Sequence, residues 1–156
     1  MLVPIVLAPT PALILTVRSG AMASHPGQVA LPGGGINTGD AFPIGTALRE
    51  AQEETGIDPA SVEVLGLMRR FDTISGYRIV PVVGVLPALP ELEACPREVL
   101  SIFSVPLERA LNPSSYCRHQ IRHKQRDYPV WSMQSETWPI WGATAAILAH
   151  LADLAA

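Results

Sequence analysis

Apolar residues come in short blocks broken by proline and glycine, and the spacing within the blocks changes along the chain. Val3 to Leu7 and Ala12 to Val17 are apolar runs turned by Pro9-Thr10-Pro11, which predicts two strands. Val29 to Leu31 predicts a short strand running into a Pro32-Gly33-Gly34-Gly35 turn. From Pro43 to Thr55 the period lengthens. Ile44, Ala47, Leu48 and Ala51 follow the i, i+3, i+4, i+7 stripe of a half-buried helix that Gly56 ends. Val62 to Phe71 and Tyr77 to Leu86 read as paired strands joined around Ser75-Gly76. Ser101 to Val105 predicts a further strand, Pro106 to Leu111 a short helix, and Arg118 to Trp131 a polar hairpin. Ile140 to Leu154 is expected as a closing helix, with Ala143, Ile147, Leu148, Leu151 and Leu154 at helical spacing. Strands, helix, strands, helix in that order make an α+β fold with a mixed sheet.

Composition narrows the class. A chain of 156 residues can build one sizeable core, so a single domain over residues 1–156 is expected. Hydrophobic residues reach 48% and charged residues only 16%, which excludes a disordered chain and leaves apolar surface for a homodimer. The net charge of −3 gives no basic field for a nucleic acid polymer. Cys95 and Cys117 have neither metal spacing nor a disulfide framework, as expected in a reducing cytoplasm. The apolar opening is broken by Pro4 and Pro9, so it is read as neither a signal peptide nor a membrane span.

Chemistry concentrates on the Pro43 to Thr55 helix. At about 100° per residue, Glu50, Glu53 and Glu54 project within an arc of roughly 100° beside the apolar stripe. Carboxylates this close repel one another unless a cation joins them. Arg49 lies one turn before Glu53 and is able to pair with it. Hard oxygen ligands with room for water and phosphate suit Mg²⁺ or Mn²⁺. The same acids could be a solvated helix face held by an Arg-Glu pair; the glycine turn at a fixed distance upstream favours the metal site.

Gly34, Asp40 and Arg49-Glu50-Ala51-Gln52-Glu53-Glu54-Thr55-Gly56-Ile57 together resemble the Nudix box, Gly-x5-Glu-x7-Arg-Glu-U-x-Glu-Glu-x-Gly-U with U aliphatic. The middle acid here is Asp, one residue further from the arginine, a variant similar to that of the coenzyme A diphosphatase branch. Leu13 to Ser19 and His25 to Gly34 resemble that branch upstream of the box, and Ser75-Gly76-Tyr77, Val80 to Gly84, Glu98-Val99, Val105-Pro106-Leu107 and Ile140 to Thr144 resemble it downstream. Ala23 stands where the branch usually has Arg, and Leu31 where it has Phe. Members often carry residues ahead of the first strand, so a short or trimmed N-terminus is expected here.

The resemblance implies an α/β/α sandwich that hydrolyses a diphosphate bond in a nucleoside-diphosphate compound. The substrate it points to is coenzyme A or an acyl derivative, with 3′,5′-ADP and phosphopantetheine as products. Glu50 and Glu54, four apart, are the first candidates for metal ligands, with Glu53 completing the set and the Gly33 carbonyl added by carry-over. The general base is Glu53 or, from a loop that matches the family, Glu98; Arg49 orients the cluster. Arg18 is a candidate for a substrate phosphate or a surface salt bridge, and Gln28 for the substrate or its own turn. Asp40 reads as a second-metal ligand or a helix cap, His25 as a loop histidine or a catalyst. Arg118, His119, Arg122, His123, Lys124 and Arg126 form a basic cluster, a solvated hairpin or a partner for a 3′-phosphate. Trp131, Trp138 and Trp141 are assigned to core or interface rather than to base stacking. Two other readings stay open: hydrolysis of a different nucleoside diphosphate, and a Nudix-fold protein that binds without cutting. The three acids argue against the latter, since a binder has no use for their repulsion.

Overall fold

A computed structural model describes residues 1–123 and 125–156. In chain order the elements are β1 (Leu2–Val6), β2 (Ala12–Arg18), β3 (Val29–Ala30), α1 (Ile44–Thr55), β4 (Glu63–Leu67), β5 (Phe71–Asp72), β6 (Arg78–Ile79), β7 (Val82–Leu86) and β8 (Val99–Pro106), then α2 (Leu107–Ala110), β9 (Tyr116–His123), β10 (Arg126–Met133), β11 (Ile140–Trp141) and α3 (Gly142–Ala155). A six-stranded sheet runs β3-β2-β1-β7-β4, with β8 on the other edge of β2. β1 and β7 are parallel while the other pairs are antiparallel, so the sheet is mixed. β1 is buried along its whole length, which explains why it reads as a continuous apolar run rather than an alternating one.

Helices cover both faces. Leu2 and Val82 pack against Ala47 and Ala51 of α1, while Val3, Ile5, Leu13, Leu15 and Val17 face α3 through Ala145, Ile147, Leu148 and Ala152. Successive residues of β1 thus serve opposite layers, as the period of two requires. The result is the α+β fold with a mixed sheet that the element order implies, layered as the sandwich that the resemblance implies.

Several expectations need correcting. The long hairpin is interrupted: β4 pairs with β7 and β5 with β6, with a break at Pro81, which has no N–H for a ladder. Its two arms are paired around Ser75-Gly76 as expected. The closing helix starts at Gly142, because Ile140 and Trp141 pair with Met133 and Ser132 of β10. Its buried stripe centres on Ala145, Leu148 and Ala152, and Leu154 is 64% exposed. The expected hairpin exists as β9–β10. Lys124 lies outside the described residues. No helix among the described residues is long and apolar enough to cross a membrane.

Candidate active site

The turn after β3 and the buried face of α1 are built against each other. Leu31 is buried in the α3-side core, so the residue that replaces Phe still anchors the turn. Gly34 faces the Glu50 carboxylate so closely that a Cβ there would collide with it. Gly33 has φ +154° and packs on the Met1 backbone, a placement that excludes a side chain. Its N–H donates to Glu54 Oε2 at 2.9 Å.

The buried face of the helix is shifted from the expected stripe. The buried face carries Thr46, Ala47, Glu50, Ala51, Glu54 and Thr55, while Ile44 is exposed. Two acids therefore lie inside the face that packs, not beside it. Gly56 ends the helix in the left-handed conformation, φ +76°, and its N–H reaches Gln52 O at 2.9 Å.

Arg49 organises the solvent side. Its guanidinium reaches Glu50 at 2.9 Å, Glu53 at 3.0 Å, Asp40 at 3.0 Å and the Gly35 carbonyl at 2.8 Å. Asp40 also accepts from Thr46 Oγ1 and from the Asn37 N–H, both at 2.9 Å. Hydrogen bonds from Arg49 first, then from Asn37, hold the Asp40 carboxyl far below the usual carboxylate range, and Asp40 in turn raises the Arg49 guanidinium. Asp40 makes no side-chain cap on α1. It pins the 35–40 loop and aims Arg49. Thr46, Asn37 and the Gly35 carbonyl carry no signal in the sequence, because only the loop's path brings the first two to Asp40 and the third to Arg49.

On the opposite side, β2 and β8 deliver Arg18 and Glu98. Their pairing skips a residue between Val17 and Arg18, so that Arg18 lies opposite Val99, and the Ser19 N–H donates to Glu98 O at 2.8 Å. Such a bulge re-aims the side chains at the end of a strand. Arg18 Nε donates to Ser24 O at 3.2 Å. Burial lifts the Glu54 carboxyl from 4.5 to about 7; the Gly33 N–H opposes this, Glu50 raises it, Arg18 lowers it and Glu98 raises it. Glu54 is thus the point where the turn, α1, β2 and the Glu98 loop act together.

Other candidates fall elsewhere. Glu53 is 57% exposed at its side chain and is held by Arg49. Among the described residues no three His, Cys, Asp or Glu side chains converge on one point as they stand. Gln28 contributes backbone bonds to its own turn, accepting from the Arg18 N–H at 2.9 Å. Arg118, His119, Arg122 and Arg126 are exposed on the β9–β10 hairpin. Arg118 lies over Trp131, Trp131 and Trp138 pack on the core, and Trp141 is exposed.

A Nudix domain family model matches residues 2–125, a span holding the glycine turn, the whole of α1 and Glu98. The chain belongs to the Nudix family. The Nudix hydrolase NudL of Klebsiella pneumoniae (strain 342) is 42% identical over 152 residues, 97% of this chain and 79% of that one. Two solved structures share the fold: the Ap4A hydrolase of C. elegans, with TM-score 0.56 and 19% identity over 69% of this chain and 78% of its own, and the Nudix domain of Shewanella oneidensis NrtR in complex with ADP ribose, with TM-score 0.53 and 23% identity over 70% and 72%.

This Nudix chain is a hydrolase of phosphoanhydride bonds in nucleoside-diphosphate derivatives, and Nudix hydrolases generally use divalent metals. The residues present fit such an ion. Glu54 is buried with Glu50 and Glu98 raising its carboxyl; Arg18 lowers it and Arg49 pairs with Glu50, yet the carboxyl stays raised, so the acids are only partly offset. A divalent cation relieves that excess, and hard carboxylate oxygens are its preferred donors.

Proposed function

We propose that this Nudix hydrolase cuts the diphosphate of coenzyme A or an acyl derivative, giving 3′,5′-ADP and phosphopantetheine or its acyl form. One observation carries the reading. Arg18, Gly33 and Glu98, from separate stretches that resemble the coenzyme A diphosphatase branch, all act on Glu54. Glu50, Glu54, Glu53 and the Gly33 carbonyl would hold Mg²⁺ or Mn²⁺. When bound, such an ion neutralises charge on the diphosphate and favours attack by water near neutral pH.

The chain's own groups supply the rest. Glu98 takes a proton from the attacking water as its oxygen bonds to phosphorus and the bridging P–O bond breaks. Glu98 suits this task better than Glu53, which is exposed and already paired with Arg49. Arg18 sets a positive charge beside the acids, where a phosphate oxygen would sit. Arg49 fixes Glu50 and, through Asp40, the loop that carries Gly35.

A second reading is favoured by Ala23. An exposed alanine stands where the branch places a phosphate-clamping arginine, which fits another nucleoside diphosphate linked to a small group. Incubation with Mg²⁺ or Mn²⁺ and coenzyme A, acetyl-coenzyme A, ADP-ribose or a dinucleoside polyphosphate, with products identified by mass, tests both. Release of 3′,5′-ADP as the fastest reaction supports the first, and faster cleavage of another member overturns it in favour of the second.

A further inference from the structure

The loop from Ser19 to Gln28 and the β5–β6 hairpin lean together beside the site. Ser24, whose carbonyl accepts from Arg18 Nε at 3.2 Å, ties the loop to the cation that acts on Glu54. Next along the chain, His25 has φ +53°, and its ring lies 6.4 Å from the Tyr77 ring, centroid to centroid, at an interplanar angle of 63°. Just past the hairpin, the Met1 ammonium donates to Val80 O at 3.3 Å. Val82 N–H donates to Met1 O, and the Met1 backbone packs against Gly33.

The Tyr77 backbone is held while its ring stays uncovered. Its N–H donates to Thr73 Oγ1 at 2.9 Å and its carbonyl accepts from the Thr73 N–H at 2.9 Å, yet the residue is 56% exposed. The ring is edge-packed on His25 and open to solvent, so a face is free to receive a planar group. Ser24, which holds Arg18, directly precedes His25, so a nucleotide whose phosphates lie by Arg18 would find the ring pair next along the same loop.

We propose that the His25–Tyr77 pair is the seat for the nucleobase of the substrate. Tyr77 offers the stacking face and His25 is a positioning residue that sets the ring's tilt. The inference rests on the nucleotide-derived diphosphate substrate above and adds which residues receive its heterocycle.

Calorimetric titration of the whole chain with AMP and with ribose 5-phosphate, which has the sugar phosphate but no base, tests it. Wild type should bind AMP more tightly than ribose 5-phosphate. Tyr77→Ala should weaken AMP by roughly fivefold or more, the scale of base–aromatic stacking, and leave ribose 5-phosphate unchanged. Tyr77→Phe keeps the ring and should bind AMP like wild type, and His25→Ala should fall between. Equal binding of the two ligands by wild type, an unchanged AMP affinity in Tyr77→Ala, or a parallel loss for both ligands overturns the seat. The two readings fail separately. Tyr77-dependent AMP binding with no diphosphate cleaved sinks the proposed reaction and keeps the seat, while cleavage with AMP binding indifferent to Tyr77 does the reverse.

Discussion

Arg49 grips Asp40 with two nitrogens: Nε stands 3.1 Å from Oδ1 and Nη2 3.0 Å from Oδ2. This fork explains how a shorter acid, displaced by one residue from the usual box spacing, still serves. The loop bends so that Asn37 and Thr46 donate to the same carboxylate, and Arg49 is left aimed at Glu50. Asp40→Asn removes the charge but not the shape. Turnover should drop by roughly ten- to a hundredfold, the usual cost of losing a group that orients ligands, with the largest change in metal affinity. Metal titration of initial rates checks this, and an unchanged metal dependence would show that Arg49 needs no anchor.

The proposed base is separable from the proposed metal ligands by substitution. Glu98→Gln should lower kcat by a hundredfold or more, within the usual range for general-base catalysis, while the metal concentration for half-maximal rate stays near wild type. Glu53→Gln should act more weakly on kcat. If the two effects exchange places, Glu53 is the base. Equal, small effects mean that no side chain of this pair takes the proton.

Stability should depend on pH through Glu54. Its carboxyl titrates near 4.5 when unfolded and is pushed up to about 7 when folded, chiefly by burial. The folded state therefore holds the proton more tightly, so its contribution is complete below about 4.5 and is lost as pH rises through about 7. The loss is on the order of 3 kcal/mol in metal-free protein, from a shift of this size. Thermal melts at pH 5 and pH 8 should show it, and Mg²⁺ should restore stability at pH 8 by binding the folded carboxylate. Glu54→Gln should flatten the slope and raise the metal-free melting temperature at pH 8, while turnover falls by orders of magnitude. A slope that survives Glu54→Gln assigns it to another group.

Ala23 provides the substrate test. It is exposed in the loop whose Ser24 carbonyl holds Arg18. Ala23→Arg should raise kcat/KM for coenzyme A more than for ADP-ribose, and added salt should erode part of the gain. No selective gain would mark a change of substrate and leave the metal chemistry untouched.

Local pattern determined a good deal of this protein. The helix from Ile44 to Thr55, its end at Gly56, the β9–β10 hairpin and the spacing of the glycine turn to Glu50 and Glu54 are all legible without coordinates. Each depends on residues within a few turns of one another, where period and backbone preference act directly. Tertiary structure decided what depends on distant partners. Helical period alone did not reveal that Glu50 and Glu54 lie in the buried face of α1, because that face is chosen by Gly33 and Gly34 packing on it. Nor did it reveal what Asp40 does, since Arg49, Thr46 and Asn37 meet there only when the loop closes. Arg18 and Glu98 become neighbours of Glu54 through the β2–β8 register and its bulge. Side-chain type sets which chemistry is available. Strand register sets which of those groups come together, and at Glu54 burial first of all lifts an ordinary carboxyl to about 7.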